Sequence, residues 1–229
     1  MNTLVSAFWG EGISDERFLP VMIQRTLEAL MLQCAQGEWE ILEPLVIHPD
    51  RNIVGFVNQV QDLAQQAHGF HLLFIHTDAD APEEAHKAIR FKINPAIQAV
   101  QNAPQTIEYC REIIPVIPVV KIENWKLSDS DALREALATE LDDTALGLNL
   151  GTKQLEQKSD AKELLATILS KINENRRIPV LLDDLDGALA KGIHLQKIYR
   201  FQSFERFVNR LKTSLIAQNI LKADCNPRF

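Results

Sequence analysis

Cysteine is scarce. Cys34, Cys110 and Cys225 are the only three in 229 residues, odd in number and scattered along the chain. Neither a metal-ligand spacing nor a disulfide framework follows from them, so a reducing cytoplasm is the expected setting. Long apolar runs are missing as well. The opening, Met1 to Trp9, has no basic segment and no small-residue cleavage site, and it is too short and mixed for a signal or a membrane span. No membrane association is therefore expected. Neither GxxxxGK(S/T) nor GxGxxG occurs, which excludes a built-in nucleotide-driven motor. There is also no internal repeat, no low-complexity tract and no linker rich enough to mark a clean domain boundary.

What is present is an ordinary globular composition, 46% hydrophobic, on a chain long enough to bury a substantial core without disulfides. The formal net charge is −7, but it is unevenly spread. From Gly187 to Phe229 there are eight Lys/Arg and two Asp/Glu, which leaves 16 basic and 29 acidic side chains for the rest. A basic tail on an acidic core can hold an anionic polymer near a metal-loaded carboxylate site, or it can be a solvated helix surface. Lys197, Arg200, Arg206 and Arg210 are the candidate nucleic-acid contacts.

Hydrophobic patterning predicts alternating strands and helices in the first half. Leu4–Trp9 is an apolar run that suits a strand buried on both faces, followed by a helix with Leu19, Ile23, Leu27, Leu30 and Cys34 on one stripe. Ser14 is a candidate N-cap, and Pro20 suggests that the helix begins near Phe18. Strands are expected at Trp39–Ile47, Leu72–Ile75 and Ile113–Ile122. Helices are expected over Ile53–Ala67 and over Pro82–Val100, with a break at Pro95. Such alternation predicts a doubly wound, Rossmann-like α/β core with a mostly parallel sheet flanked by helices. Beyond Trp125 the pattern is helical, over Ser130–Leu141, Asp160–Asn175, Asp183–Ala190 and Ser203–Leu221. The expected organisation is an α/β core over 1–125 and a mainly helical extension over 126–229 packed on it.

Carboxylates follow the expected strands. Glu11 comes after the first, Asp78 and Asp80 after the third, and Glu123 closes the fourth. Open α/β sheets form their sites outside the carboxyl ends of parallel strands, so these residues can converge. Clustered carboxylates repel one another unless a cation neutralises them, and hard oxygen donors suit Mg²⁺ or Mn²⁺. Gly10 and Gly12 on either side of Glu11 allow close approach by a ligand.

Trp9-Gly10-Glu11-Gly12-Ile13-Ser14-Asp15 resembles the EGxxD opening of TOPRIM domains, and His76-Thr77-Asp78-Ala79-Asp80 resembles their DxD motif. Glu123-Asn124-Trp125-Lys126-Leu127-Ser128-Asp129 is similar to an E-x-W-x-L-x-D segment of a TOPRIM-like bacterial family related to OLD-type nucleases. Asp160 to Leu164 and Phe204 to Leu211 resemble later blocks of that family, with Ala161 where a proline is expected before Lys162. The resemblance implies a TOPRIM-type sheet and metal-assisted phosphodiester chemistry. It implies Glu11 as general acid or base and as part of the metal site, and Asp78 and Asp80 as ligands for Mg²⁺ or Mn²⁺. Asp15 becomes a ligand for a second metal, Glu123 a further ligand, and Lys162 either a neutraliser of charge at phosphorus or a surface lysine. Tyr109 and Tyr199, the only tyrosines, lie in no context for a topoisomerase nucleophile. Three scattered cysteines make no primase zinc module, so a water nucleophile, and hence a nuclease, is the remaining catalytic option.

The leading expectation is a Mg²⁺-dependent nuclease acting on DNA or RNA, a defence-system effector that works with a separate ATPase and forms a homo-oligomer or not. The alternatives are a metal-dependent phosphohydrolase or transferase using DxD, and a non-catalytic regulatory subunit of an ATPase complex. His76 is a structural residue or a proton shuttle beside the site. Asp183, Asp184 and Asp186 are expected to open a helix rather than to form a calcium loop. Trp125, Phe201, Phe204 and Phe207 offer stacking faces or core packing, with Phe204 and Phe207 at core spacing.

Overall fold

A computed structural model of the chain describes residues 1–79, 84–174 and 176–229, the side chains of 85 and 86 aside. The apolar run at the start makes two strands, β1 (Asn2–Leu4) and β2 (Ser6–Trp9), interrupted at Val5. At the interruption the His71 Nδ1 accepts from the Val5 N–H at 3.2 Å, and the His71 backbone N–H donates to the Val5 carbonyl at 2.9 Å. The second expected strand divides likewise into β3 (Trp39–Ile41) and β4 (Leu45–Val46). With β5 (Leu72–His76) and β6 (Ile113–Val116), the main sheet has the order β4-β2-β5-β6, all parallel. β1 and β3 form a separate parallel pair.

Both faces of the sheet are covered. Phe8, Leu72, Phe74, Ile114 and Val116 face one apolar cluster, and Ala7, Trp9, Leu73, Ile75 and Ile113 face another. That alternation is the period of a strand, and burial on both sides is why these strands read as unbroken apolar runs. Against the first face pack α1 (Ile13–Cys34) and the C-terminal helices; the first cluster runs without a break across residue 125. Against the second pack α2 (Phe56–Gln66) and a composite helix. That helix consists of α3 (Glu84–Lys87), a π-helical turn (Ala88–Ile93) and α4 (Asn94–Gln101). Pro95 lies in the first turn of α4, where its missing N–H costs little; the irregularity is the π turn before it.

The start of α1 and the end of the fourth strand differ from the sequence expectation. Helix α1 begins at Ile13, not Phe18, with Gly12 as its N-cap instead of Ser14. Asp15 Oδ2 accepts from the Gly12 N–H at 2.9 Å, closing the first turn, and buried Phe18, Leu19, Met22 and Ile23 anchor the helix on both sides of Pro20. The fourth strand ends at Val116, and Ile122–Lys126 is a short helix, α5, so Glu123 does not close a strand. Its start is capped by Asn124, whose Oδ1 accepts from the Lys121 N–H at 3.0 Å. Among the described residues four further helices fall where expected, α6 (Ser130–Ala136), α8 (Ala161–Asn173), α9 (Leu182–Gly192) and α11 (Gln202–Ala217), and two short ones, α7 (Thr152–Glu156) and α10 (Leu195–Ile198), lie outside the expected spans.

The cysteines also differ from expectation. Cys34 at the end of α1 is disulfide-bonded to Cys225, 191 residues away. The flanking backbones pair around it: Ala35 bridges Leu221, the Lys222 N–H donates to the Cys34 carbonyl at 2.9 Å, and the Gln36 N–H donates to the Ile220 carbonyl at 2.8 Å. Scattered spacing concealed a pair that the fold brings together. Cys110 is free and buried, and burial pushes its thiol up to about 11. Among the described residues no helix is long and apolar enough to cross a membrane.

Candidate functional site

From β2 the chain passes to β4 on one side, while β5 lies on the other. The crevice beyond the carboxyl ends of β2 and β5 is thus a topological switch point, where open α/β sheets bind ligands. Trp9 pairs with Ile75 at these ends, so Gly10-Glu11-Gly12 and Thr77-Asp78 leave the sheet side by side. A Cβ on Gly10 would sit 3.0 Å from Phe8 Cζ and 3.0 Å from Asp15 Cβ, so the turn needs glycine there.

Two groups of side chains form at this point. In the first, buried His76 lies between carboxylates. Its Nδ1 is 2.8 Å from the Val116 carbonyl, which can only accept, so Nδ1 carries a hydrogen and Nε2 is turned toward the carboxylates. Nε2 lies 3.6 Å from Asp15 Oδ2 and 3.6 Å from Asp78 Oδ1. His76 is thereby both a structural residue, tying β5 to β6, and the meeting point of two site aspartates.

In the second group, Lys92 Nζ donates to Glu11 Oε1 at 2.7 Å and to Thr77 Oγ1 at 2.9 Å, and Thr77 Oγ1 donates to Glu11 Oε1 at 2.9 Å. The three polar atoms close a triangle. Burial raises the Glu11 carboxyl, but the hydrogen bonds from Lys92 and Thr77 and the positive charge of Lys92 outweigh it and bring it below its ordinary value. Lys92 reaches across from the π-helical turn, its ammonium 4.7 Å from the Phe56 ring centroid. An open cleft lined by Glu11, Gly12, Glu16, Phe56, Gln59 and Lys92 leads to this group. Lys92 has no signature in sequence: a lysine in a helical pattern is ordinarily a solvated residue, and nothing in composition announces a π turn.

Asp80 lies outside the described residues. Glu123 is buried on α5, and the Ala79 N–H donates to the Val120 carbonyl at 3.2 Å, so the segments after β5 and β6 run together. Glu123 is nonetheless not hydrogen-bonded to Glu11 or Asp15 among the described residues. Lys162 is exposed in the first turn of α8 and forms no ion pair with these carboxylates among the described residues. Among the described residues no three His, Cys, Asp or Glu side chains are grouped so as to hold a metal ion.

The tryptophan segment is structural. Trp125 is buried edge-on against Phe204 and donates to Ser203 Oγ at 2.9 Å, so it offers no stacking face. Asp129 caps α6 by accepting from the Asp131 and Ala132 N–H groups, and it also accepts from Lys197 Nζ at 2.6 Å. Lys197 makes a second contact to Asp131 at 2.5 Å. Its ammonium, expected as a nucleic-acid contact, thus already has two carboxylate partners within the protein. Arg200 is exposed beside a polar cavity with Lys197, whereas Arg206 and Arg210 line a groove next to β6. Asp186, expected at a helix start, is instead fully buried in α9. Its Oδ1 lies 2.7 Å from Lys126 Nζ, an ion-pair contact rather than a well-directed hydrogen bond, and both side chains are 0% exposed. Ser14 joins them, donating to Asp186 Oδ2 at 2.6 Å and accepting from Lys126 Nζ at 2.6 Å. The pair thus supports the first turn of α1, next to Asp15.

No family model matches the chain, and neither a curated protein nor a solved structure does.

Proposed function

We propose that the chain is a Mg²⁺- or Mn²⁺-dependent phosphodiester hydrolase of TOPRIM type, a nuclease. The observation that supports this is the placement of Glu11 and Asp78 side by side, beyond two neighbouring parallel strands at the switch point of the sheet. The donors are carboxylate oxygens, Asp15 and Asp78 meeting at His76, with Asp80 two residues further on; hard donors of this kind fit Mg²⁺ or Mn²⁺. A cation bound by them supplies activation of water and stabilisation of charge developing at phosphorus. Glu11, held in its ionised form by Lys92 and Thr77, is set to accept a proton. Lys92 holds Glu11 in place and adds positive charge on the cleft side, where an anionic substrate enters.

The test uses purified protein with Mg²⁺ or Mn²⁺, offered plasmid, linear DNA and RNA, beside Glu11→Gln. A proton-transferring glutamate contributes about 10²- to 10⁴-fold, so the variant should lose cleavage by that factor while still binding nucleic acid. Equal cleavage by both proteins would place the chemistry elsewhere. Turnover of soluble phosphate esters with no action on polynucleotides would make it a small-molecule phosphohydrolase.

A further inference from the structure

β6 is the edge strand of the main sheet. Along it two adjoining hollows, of about 260 and 850 Å³ including space open to solvent, share Pro115 and Arg210 as lining. They make one groove. Its floor is the edge strand, one wall is α11 with Arg206 and Arg210, and the opposite wall is the composite helix, with Ile89 at one end and Ile97 at the other. Helix α11 runs antiparallel to β6. Arg206 lines the hollow with Ile117, just past the strand's carboxyl end, and Ser214 donates to Glu112 Oε2, just before its start, at 2.7 Å. The arginine end of the groove therefore points to the same end of the sheet as Asp78.

Three observations indicate what the groove takes. Arg206 and Arg210 stand one helical turn apart, and among the described residues neither has an ion-pair partner within 4.0 Å. Burial and the neighbouring Arg206 charge both lower the basicity of Arg210, so the pair repels itself until an anion bridges it. The π-helical turn connects groove and site, since Ile89 lines the groove while Lys92, three residues on, holds Glu11. On that same turn, outside the lining of the groove, Phe91 is 68% exposed, with the Arg90 guanidinium 5.2 Å from its ring centroid. An exposed aromatic ring beside a guanidinium is a face on which a base can stack.

We infer that the groove along β6 binds a single strand of nucleic acid, its phosphates on Arg206 and Arg210, and leads it to the carboxylates beyond β5, with a base reaching Phe91 outside the groove. This rests on the reading of Glu11 and Asp78 as a phosphodiester site. An unbranched strand fits better than a duplex, because the floor is an edge strand between two helices and the arginines lie within the groove.

The experiment is binding of a 5′-fluorescein-labelled 12-nucleotide single strand to the full chain in EDTA, so that cleavage does not intervene, followed by anisotropy across a range of salt. Wild type is compared with Arg206→Gln/Arg210→Gln and with Phe91→Ala, each checked for native fold by circular dichroism. The double variant should bind at least tenfold more weakly, and its plot of log affinity against log salt should flatten by about 1.4, or ~0.7 for each phosphate that an arginine no longer neutralises. Phe91→Ala should weaken binding about fivefold or more with the slope kept, as removal of a stacking face does. Equal affinity and slope in wild type and the double variant would overturn the inference. So would binding of polyglutamate through the same arginines with no binding of the oligonucleotide, which would make this an acidic-peptide groove. The two proposals separate cleanly. Arginine-dependent binding without cleavage under any metal would sustain the groove and sink the hydrolase; cleavage with arginine-independent binding would do the reverse.

Discussion

Breaking the Lys126–Asp186 pair should be among the most damaging single changes available outside the apolar core. Both side chains are 0% exposed. Among the described residues the carboxylate and ammonium share only Ser14 as a further close polar partner, with the Phe18 ring centroid 5.5 Å from the ammonium. Asp186→Asn retains the shape and the contact to Ser14 but leaves a buried ammonium with no counter-charge. Removing one partner of a buried pair costs about 3–5 kcal/mol. For a chain of this size each kcal/mol moves the melting temperature by about 2–4 °C, so a fall of roughly 6–20 °C is expected. Lys126→Met should be comparably harmful, because it strands the carboxylate. The double variant Lys126→Met/Asp186→Asn removes both charges and should recover much of the loss. Urea unfolding of the four proteins gives the cycle directly. A loss under about 1 kcal/mol in either single variant, or simple additivity in the double, would show that solvent or another group already compensates these charges.

Lys92→Met should raise the Glu11 carboxyl, since the ion pair and hydrogen bond that hold it down are gone; a carbon-13 titration of Glu11 that stays in place would refute the coupling. Asp129 is raised by burial but lowered more by Lys197 and by its hydrogen bonds, to about 2. Because the folded value lies below the unfolded one, its contribution, on the order of 2 kcal/mol, is present above about pH 4 and fades as pH falls toward 2. Asp129→Asn should therefore destabilise the protein at pH 7 but hardly at pH 2, and an equal cost at both pH values would be against it. Reduction should open the Cys34–Cys225 loop and cost up to about 5 kcal/mol by chain entropy, seen as a lower melting temperature with a phosphine reductant. Unchanged melting, together with three titratable thiols in the unreduced unfolded chain, would show that the bond does not form.

The sheet and its carboxyl-end residues were legible because strands buried on both faces leave unbroken apolar runs. Leu72–His76 and Ser6–Trp9 therefore stood out, and with them Glu11 and Asp78 as the residues that follow. Glu123 was misplaced because Pro115 and Pro118 sit in an apolar stretch that is extended in part and then turns; local periodicity does not reveal a five-residue helix. Pro20 misdirected the start of α1 because tertiary burial of Phe18 and Leu19 outweighs one lost backbone hydrogen bond. Lys126, Asp186, Lys197 and the disulfide depend on partners at least 60 residues away, and no window along the chain contains both. A count of basic side chains could locate Arg206 and Arg210 but could not show that Lys197 is already spent on Asp129.

The π-helical turn makes this molecule sensitive to the number of its residues as well as to their kind. Successive residues of an α-helix are about 100° apart, and a π turn accommodates one more than the α repeat before the helix resumes. Ile93, Ala96 and Val100 must face the sheet, while Lys92 must reach Glu11 and Ile89 must line the groove. Deleting Arg90 or Phe91 would let the turn close to regular α winding, with the segment before it re-registered against the segment after it. Lys92 lies after the deletion together with Ile93, Ala96 and Val100, so it would stay with the apolar stripe and keep its reach to Glu11, and Ile89 would shift against the groove instead. A single-codon deletion here should therefore leave the Lys92–Glu11 pair in place and alter the groove, so the number of residues in this turn matters to the groove more than to the carboxylate.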